Sequence, residues 1–165
     1  MCLISMTPEQ KIEQLGLVLP KPLQVPEGLV LPFSWVRVRG NKAYISGHVP
    51  LNPDGTIYNV TGKLGGEVTL DQGYEAARQT ALVVLSSLKR ELGSLNLITA
   101  WLRVFGMVNT SPGFVNTAQV INGFSDLIIE IYGKDSGAHS RAAVGMAELP
   151  FNMPVEIEAE VEISI

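Results

Sequence analysis

The sequence predicts an α+β fold, in which one β-sheet carries two long helices on one face. Residues 155–165 alternate apolar and polar side chains without interruption, which is typical of a strand with one buried face. Residues 70–92 and 115–131 place apolar side chains at helical spacing. Strand patterns occupy stretches before, between and after these helices. The predicted order of elements is therefore β-β-α-β-α-β-β.

Length, composition and charge limit the class of protein. The chain has 165 residues, 46% of them hydrophobic, and a net charge of −4 without a cluster of lysine or arginine. These values predict one globular domain and argue against nucleic acid as a partner. No apolar run reaches membrane-spanning length, no signal-peptide pattern is evident, and the single cysteine, Cys2, cannot form an internal disulfide. We therefore expect a cytoplasmic protein that does not enter membranes.

The N-terminal elements are a short helix and a hairpin. Thr7 to Gln10 reads Thr-Pro-Glu-Gln, which combines a capping threonine, a proline suited to the first turn and the glutamine of a capping box. Three prolines between residues 20 and 26 then exclude regular structure. Residues 35–39 and 42–46 alternate on either side of a Gly-Asn turn, which predicts the first β-hairpin.

The later elements follow in the order already given. The first long helix covers 70–92, and a β-branched, apolar stretch at 98–108 predicts the next strand. After the second helix, residues 142–147 and 155–165 are both strand-like. The short segment 150–154 between them contains two prolines and predicts that these strands form an antiparallel hairpin.

Two polar residues stand at the starts of these last strands, Arg141 and Glu156. In the predicted hairpin Glu156 would pair near Glu148, and Arg141 would pair near Ile163. The two side chains would then lie roughly 20–25 Å apart along the ladder. A site that uses both residues would have to lie between two chains of an oligomer.

The same residues carry a family resemblance. Arg141, two small residues, a valine, then Leu149-Pro150 and the strand Val155 to Ala159 resemble the Rid (YjgF) family of reactive-intermediate deaminases, also called L-PSP endoribonucleases. The resemblance covers Pro32 to Ile163, so we divide the chain into an N-terminal extension with a short helix, 1–31, and a Rid-like domain, 32–165. Further agreement comes from three other stretches, which are Tyr44 to Pro53, Gly65 to Gln72 and Val120 to Asn122. The resemblance implies a chorismate-mutase-like fold, a homotrimer whose sheets form a central barrel, and no cofactor.

The resemblance also implies roles for individual residues. Arg141 matches the arginine that holds the substrate carboxylate, and a planar guanidinium suits that task; a solvated strand-end arginine or an interface ion pair is the alternative. Glu156 matches the acidic residue that positions or activates water, although it could simply belong to the solvated face of its strand. Gly47 matches a glycine whose backbone lies against the ligand, or it is a strand-end turn. Asn122 matches a family asparagine, or it braces the helix locally.

The chain departs from the family pattern at two further positions, Phe33 and Ala143. Phe33 stands where the deaminases have tyrosine, so a hydroxyl that could bond substrate or water is missing. Ala143 stands where many members have cysteine. His48 follows Gly47 and could reach the same pocket, and His139 is two residues from Arg141; either could substitute as an acid or base, and each is equally a plain surface or satisfied histidine.

The function that the resemblance implies is hydrolysis of 2-imino or 2-enamino acids to 2-keto acids and ammonia. The partner expected is thus a small carboxylate substrate, together with further copies of the chain. The alternative is a protein that binds a small carboxylate on the same scaffold without turning it over, which Phe33 favours. Ribonuclease activity is suggested by the older family name alone, and the acidic balance opposes it.

Overall fold

The computed structural model describes residues 6–164, so the expectation about Cys2 lies outside the described residues. Its regular elements are three helices, five strands and two short 3₁₀ turns. In chain order they are α1 (Pro8–Gln14), β1 (Val36–Arg39), β2 (Lys42–His48), α2 (Leu70–Leu92), a turn (Leu95–Leu97), β3 (Ile98–Asn109), α3 (Thr117–Gly137), β4 (Ser140–Met146), a turn (Pro150–Asn152) and β5 (Val155–Ile163).

The predicted α+β class and element order are confirmed. The strands form one sheet in the order β1-β2-β5-β3-β4, with β3 and β4 parallel and the other neighbours antiparallel. Alternate residues of β5 are buried, and α2 and α3 pack against each other and against this face of the sheet. We call the opposite face, which carries the partly exposed glutamates of β5, the open face.

The predicted hairpin between the last two strands is wrong. β4 pairs in parallel with β3, because it returns to the sheet through α3, and β5 inserts between β2 and β3. The connection turns sharply at Phe151 and Asn152, which have φ of 57° and 55°. The amide of Gly62 donates to the carbonyl of Asn152 at 2.8 Å and fixes this turn. The segment that suggested a hairpin therefore crosses the end of β3.

Because this hairpin does not form, the predicted distance between Arg141 and Glu156 is also wrong. Arg141 lies in register with Val104 of β3, and Glu156 lies in register with Met107 of the same strand. Three positions along β3 and two strand spacings separate their Cα atoms by roughly 14 Å. Val104 is buried, whereas Met107 lies on the alternate face. The two side chains therefore leave the sheet on opposite faces.

The two long helices meet at a glycine contact. A Cβ at Gly123 of α3 would lie 2.0 Å from the carbonyl oxygen of Tyr74 in α2, so only glycine permits this approach. The α2 N-terminus has a complete capping box from Thr69 and Gln72. In α3 the helical dihedrals break at Gly133, with φ of 75°, close to the predicted helix end at residue 131. A last helical turn then leads into β4.

The N-terminal segment packs on the same core as the sheet. The capping box of α1 is present, and Ile12 is buried. The Glu9 carboxylate accepts hydrogen bonds from the Leu95 amide at 2.7 Å and from the Ser94 hydroxyl at 3.1 Å. Between residues 6 and 164, no helix is long and apolar enough to cross a membrane.

Candidate functional site

Arg141 lies on edge strand β4 with its guanidinium against α3. Nη1 donates to Asn122 Oδ1 at 3.0 Å and to Ser125 Oγ at 2.9 Å, and Nη2 donates to the Ala118 carbonyl at 3.3 Å. A guanidinium has five N–H donors, so Nε and one hydrogen of Nη2 remain for a ligand. Burial lowers the pKa of Arg141, while the Asp126 carboxylate raises it. The group remains a cation with a pre-oriented, unused edge.

One face of α3 supplies all three acceptors. Ala118, Asn122 and Ser125 are spaced four and three residues apart, so they stack on one side of the helix. Asn122 uses its carbonyl oxygen to brace Arg141, which turns its amide nitrogen away from the guanidinium. The alternative interpretation of Asn122 as a local brace therefore describes what its oxygen does, and its N–H₂ group stays available to a ligand.

Ser125 and His139 extend this arrangement behind Arg141. Ser125 Oγ lies 2.9 Å from His139 Nε2, and His139 Nδ1 lies 2.7 Å from the Gly137 carbonyl. Sequence reasoning singled out His139 only as a candidate acid or base, and it missed Ser125. The available signal was the helical spacing of Ser125 from Asn122.

Tyr74 and Asp126 form a polar pair next to this group. The Tyr74 hydroxyl donates to Asp126 Oδ2 at 2.9 Å, across the α2–α3 contact made possible by Gly123. Burial and the neighbouring Asp126 raise the pKa of Tyr74, so this hydroxyl is a donor at neutral pH. The pair places a negative charge near the guanidinium of Arg141.

Ala143 is the next helix-facing residue of β4 after Arg141. It pairs with Gly106 of β3 and packs against the core. Its carbonyl accepts a hydrogen bond from the Thr117 hydroxyl at 3.1 Å. The position where many Rid proteins have cysteine thus belongs to the same neighbourhood as Arg141.

Glu156 and Gly47 meet on the open face of the sheet. A Cβ at Gly47 would lie 2.0 Å from Glu156 Oε1, so the glycine lets the carboxylate lie across the backbone of β2. The β2–β5 register shifts between Ile45 and His48, which is a β-bulge at this point. Burial and the nearby Glu158 carboxylate raise the pKa of Glu156. A carboxylate with a raised pKa is a stronger base once ionised.

Phe33 lines an open groove of about 700 Å³ on this same face. The residue is 49% exposed, and its ring packs edge-on against Trp35, with ring centroids 5.0 Å apart. Arg103 and Glu158 lie in the same groove, which is also lined by Tyr44, Ser46 and Phe105.

His48 is not brought to the open face. Its ring is buried under the sheet, where Nδ1 lies 2.6 Å from the Ser46 carbonyl and Nε2 lies 2.8 Å from Ser87 Oγ. Ser87 in turn accepts a hydrogen bond from Arg90 at 2.8 Å. Burial lowers the pKa of His48 to about 4. The structure therefore separates the His48 ring from the open-face side of its neighbour Gly47, and it holds the ring as a neutral core group.

The candidate residues fall into two groups within one chain. The first, which we call the arginine cluster, contains Arg141, Asn122, Ser125, His139 and Ala143 beside edge strand β4. The second, which we call the glutamate cluster, contains Glu156 and Gly47 in contact on the open face, together with Phe33, whose groove is lined by Ser46 and Glu158 rather than by Gly47 and Glu156. No group of three or more histidine, cysteine, aspartate or glutamate residues in 6–164 could hold a metal ion.

Comparison with known proteins identifies relatives along most of the chain. The family model described as "YjgF/chorismate mutase-like, putative endoribonuclease" matches residues 9–159. Protein TCP17 of Trypanosoma cruzi is 40% identical over 125 residues, which cover 76% of this chain and 77% of that protein. The family match thus begins inside α1, within the segment that sequence reasoning set apart as an extension.

Solved structures agree with this match. A protein of unknown function from Agrobacterium tumefaciens is 38% identical, with a TM-score of 0.84 over 96% of this chain and 93% of that one. A Shewanella oneidensis protein, described as a putative endoribonuclease, is 28% identical, with a TM-score of 0.85 over 96% and 100% of the two chains. The Escherichia coli YjgF gene product shares the fold, with a TM-score of 0.57 over 88% of this chain and 97% of its own, at 18% identity. From the extent of the family match and the identity to its relatives, we conclude that the chain belongs to the YjgF/chorismate mutase-like family, also called the Rid family.

Proposed function

We propose that this protein hydrolyses reactive 2-imino and 2-enamino acids to 2-keto acids and ammonia. The observation that carries the proposal is the guanidinium of Arg141. Three acceptors hold it, while Nε and one Nη2 hydrogen are left for a ligand. Two parallel N–H groups match the oxygens of one carboxylate. Every substrate of this class has such a carboxylate next to the reacting carbon.

We further propose that the active site lies between two copies of the chain in a homotrimer. The arginine and glutamate clusters face away from each other within one chain, so they can share a substrate only when they come from different copies. The charges of the open face support association. Within residues 6–164 the ion pairs closer than 4.0 Å are Lys63–Glu148 and Arg78–Glu130, so Arg37, Arg103 and the β5 glutamates are left for partners.

In the proposed mechanism Arg141 binds the carboxylate and Asn122 Nδ2 can donate to a neighbouring polar atom of the substrate. Glu156 of the adjacent copy accepts a proton from water, whose oxygen attacks the imine carbon. That proton passes to the imine nitrogen, which gives the carbinolamine. As the C–N bond breaks, the hydroxyl proton passes to the nitrogen, so that ammonia leaves and the carbonyl of the 2-keto acid forms. An imine is already electrophilic, so positioning and polarisation suffice, and the reaction needs no cofactor.

The second candidate is a carboxylate-binding protein without turnover. Phe33 favours it, because this ring brings no hydroxyl to the groove that it lines. Endoribonuclease activity, the other description given to relatives, is opposed by the net charge of −4 and by the row of glutamates on the open face. We therefore propose a cytoplasmic protein whose partners are small carboxylates and its own copies.

The proposal is tested by generating 2-aminoacrylate in situ and following release of ammonia and pyruvate. We expect the wild-type protein to accelerate release above the buffer rate, and Arg141→Ala to abolish the acceleration with the fold intact. Arg141→Lys should rescue poorly, because lysine cannot offer a two-pronged contact. If wild type binds pyruvate but releases ammonia no faster than buffer, the binding-protein alternative replaces the enzyme. If Arg141→Ala bound pyruvate as tightly as wild type, both the deaminase and the carboxylate-binding protein would be contradicted.

A further inference from the structure

A continuous chain of hydrogen bonds runs behind Arg141, away from its unused edge. It begins at the Gly137 carbonyl, 2.7 Å from His139 Nδ1, and passes from His139 Nε2 to Ser125 Oγ over 2.9 Å. It ends at Arg141 Nη1, which lies 2.9 Å from Ser125 Oγ. None of these three side chains contacts the glutamate cluster.

When His139 is neutral, the direction of every bond in this chain follows from its two ends. A carbonyl oxygen can only accept, so His139 Nδ1 carries the hydrogen. In the neutral ring Nε2 is then an acceptor, and Ser125 must donate its single hydrogen to it. A guanidinium can only donate, so Ser125 meets Arg141 with a lone pair. With a neutral His139 the chain has one consistent arrangement, whereas a protonated ring would donate from Nε2 to Ser125 and release the Ser125 hydrogen from this chain.

The surroundings of His139 favour that neutral form. The ring is partly buried and packs edge-on against Phe124, with ring centroids 6.4 Å apart. Burial lowers the pKa of His139, the hydrogen bond to the Gly137 carbonyl raises it, and the positive charge of Arg141 lowers it. At neutral pH the imidazole therefore acts as an acceptor that sets the direction of the Ser125 hydroxyl.

We propose that Ser125 and His139 are positioning residues for carboxylate recognition by Arg141. Together they occupy an Nη1 hydrogen and keep the guanidinium against α3, so that Nε and Nη2 form a ready-made fork for a monocarboxylate. Without Ser125, Nη1 keeps only the Asn122 oxygen, and Nη2 keeps the longer bond to the Ala118 carbonyl. A long arginine side chain held less firmly loses more freedom on binding, which weakens affinity. The inference rests on the proposed function, because the ligand is the carboxylate bound there.

The test measures the affinity of the full-length protein for 2-oxobutanoate by calorimetry, with its methyl ester as a ligand without the carboxylate charge. We expect Ser125→Ala and His139→Leu each to weaken 2-oxobutanoate binding about tenfold, the typical size of one hydrogen bond to a charged group. The double variant should be no weaker than either single variant, because the two residues act through one contact. His139→Gln should stay close to wild type, since its amide oxygen can accept from Ser125.

Two further measurements separate positioning from general stability. In turnover of the imino acid, Ser125→Ala should raise KM about tenfold and change kcat less than twofold. Nitrogen NMR of wild-type His139 should show the neutral tautomer with hydrogen on Nδ1, a measurement that needs no variant. The opposite tautomer, additive effects in the double variant, equal losses with glutamine and leucine, or wild-type affinity in Ser125→Ala would each overturn the inference. If Arg141→Ala also keeps wild-type affinity, the proposed carboxylate site itself fails, which distinguishes the two cases.

Discussion

At the scale of the residue, the charge of each ionisable group depends on its burial and on the groups that it contacts. Arg141 is surrounded by acceptors, Glu156 lies half-buried beside another carboxylate, and His48 is enclosed in the core. Each environment shifts the pKa of its group in a direction that follows from burial and neighbouring charge. Two predictions belong to this scale, one for the open face and one for the core.

The first prediction concerns the proposed base, Glu156. The Glu158 carboxylate and burial both raise the pKa of Glu156, and a base works only in its ionised form. Removing the Glu158 charge by Glu158→Gln lowers that pKa, so the acid limb of kcat/KM should move to lower pH. Glu162→Gln is the matched control, because it removes an equal charge farther along β5, and its acid limb should stay in place. Equal movement in both variants, or none in Glu158→Gln, would contradict the role of Glu156.

The second prediction concerns His48, whose pKa is lowered to about 4 by burial. The unfolded chain binds a proton at this histidine below about pH 6.5, while the folded protein does not until about pH 4. The contribution of His48 to the free energy of unfolding is therefore fully present above pH 6.5. It decreases as the pH falls to about 4, by about 3 kcal/mol in total. In His48→Gln the unfolding free energy should lack this pH-dependent contribution.

Urea unfolding at pH 7, 5.5 and 4.5 checks the His48 prediction. The difference in unfolding free energy between wild type and His48→Gln should narrow steadily from pH 7 to pH 4.5. All other titrating groups are common to the two proteins and cancel in this difference. Two curves that stay parallel over this range would show that His48 is not held neutral by the fold.

At the scale of the element, the spacing of α2 and α3 determines whether the arginine cluster can form. The helices touch at Gly123, where the Tyr74 backbone leaves no room for a side chain. This approach brings Asp126 to the Tyr74 hydroxyl, and the part of α3 from Ala118 to Ser125 supplies the acceptors of Arg141. The site therefore depends on a backbone contact that carries no chemistry itself.

We predict that Gly123→Ala destabilises the protein by about 1–3 kcal/mol, the usual effect of overpacking. Its Cβ would lie 2.0 Å from the Tyr74 carbonyl oxygen, which cannot move without shifting a helix. Gly73→Ala is the control, because its Cβ would meet only side-chain atoms, Leu64 Cδ1 at 2.6 Å and Val120 Cγ1 at 3.2 Å, rather than backbone, and both changes gain similar helix propensity. Thermal unfolding compares them. Equal stability of the two variants would mean that the helices separate without cost.

At the scale of the whole molecule, the arrangement of the two clusters would make the proposed function a property of the assembly. Phe33 and Arg141 lie near opposite edges of the sheet, beside β1 and on β4. In the proposed homotrimer, the Phe33 edge of one copy faces the Arg141 edge of the next. A change at Phe33 should then affect a ligand held by a different chain.

We predict that Phe33→Tyr raises kcat/KM for imino acids several-fold. The added hydroxyl can bond substrate or water, and one such bond is typically worth about 0.5–1.5 kcal/mol. Phe151→Tyr is the control, because it adds the same hydroxyl to an exposed ring outside the groove. Ammonia release reports the rate. If wild type and Phe33→Tyr are both no faster than buffer, the protein is a carboxylate-binding module.

Local sequence signals predicted local structure well, because capping and alternation depend on neighbouring residues. Thr7 forms the capping box that its sequence predicts, and the alternating residues from 155 onward form β5 with alternate residues buried. The pairing of β4 could not be predicted in this way, since it depends on a crossover through α3 rather than on the adjacent strand. Arg141 could be chosen because its motif is distinctive. Ser125 could not, since a serine in a helix has no special pattern until the partner that faces it is known.

The central position of β5 has a consequence for the order of folding during synthesis. β5 is the last strand in sequence, yet it joins β2 to β3 in the middle of the sheet. Without β5, the described strands can form only one antiparallel pair, β1 with β2, and one parallel pair, β3 with β4, and no strand pairing connects the two. Each pair exposes edges that can associate with other chains. Ribosome-bound intermediates that lack residues 155–163 should therefore be protease-sensitive and should depend on chaperones until this one segment completes the sheet.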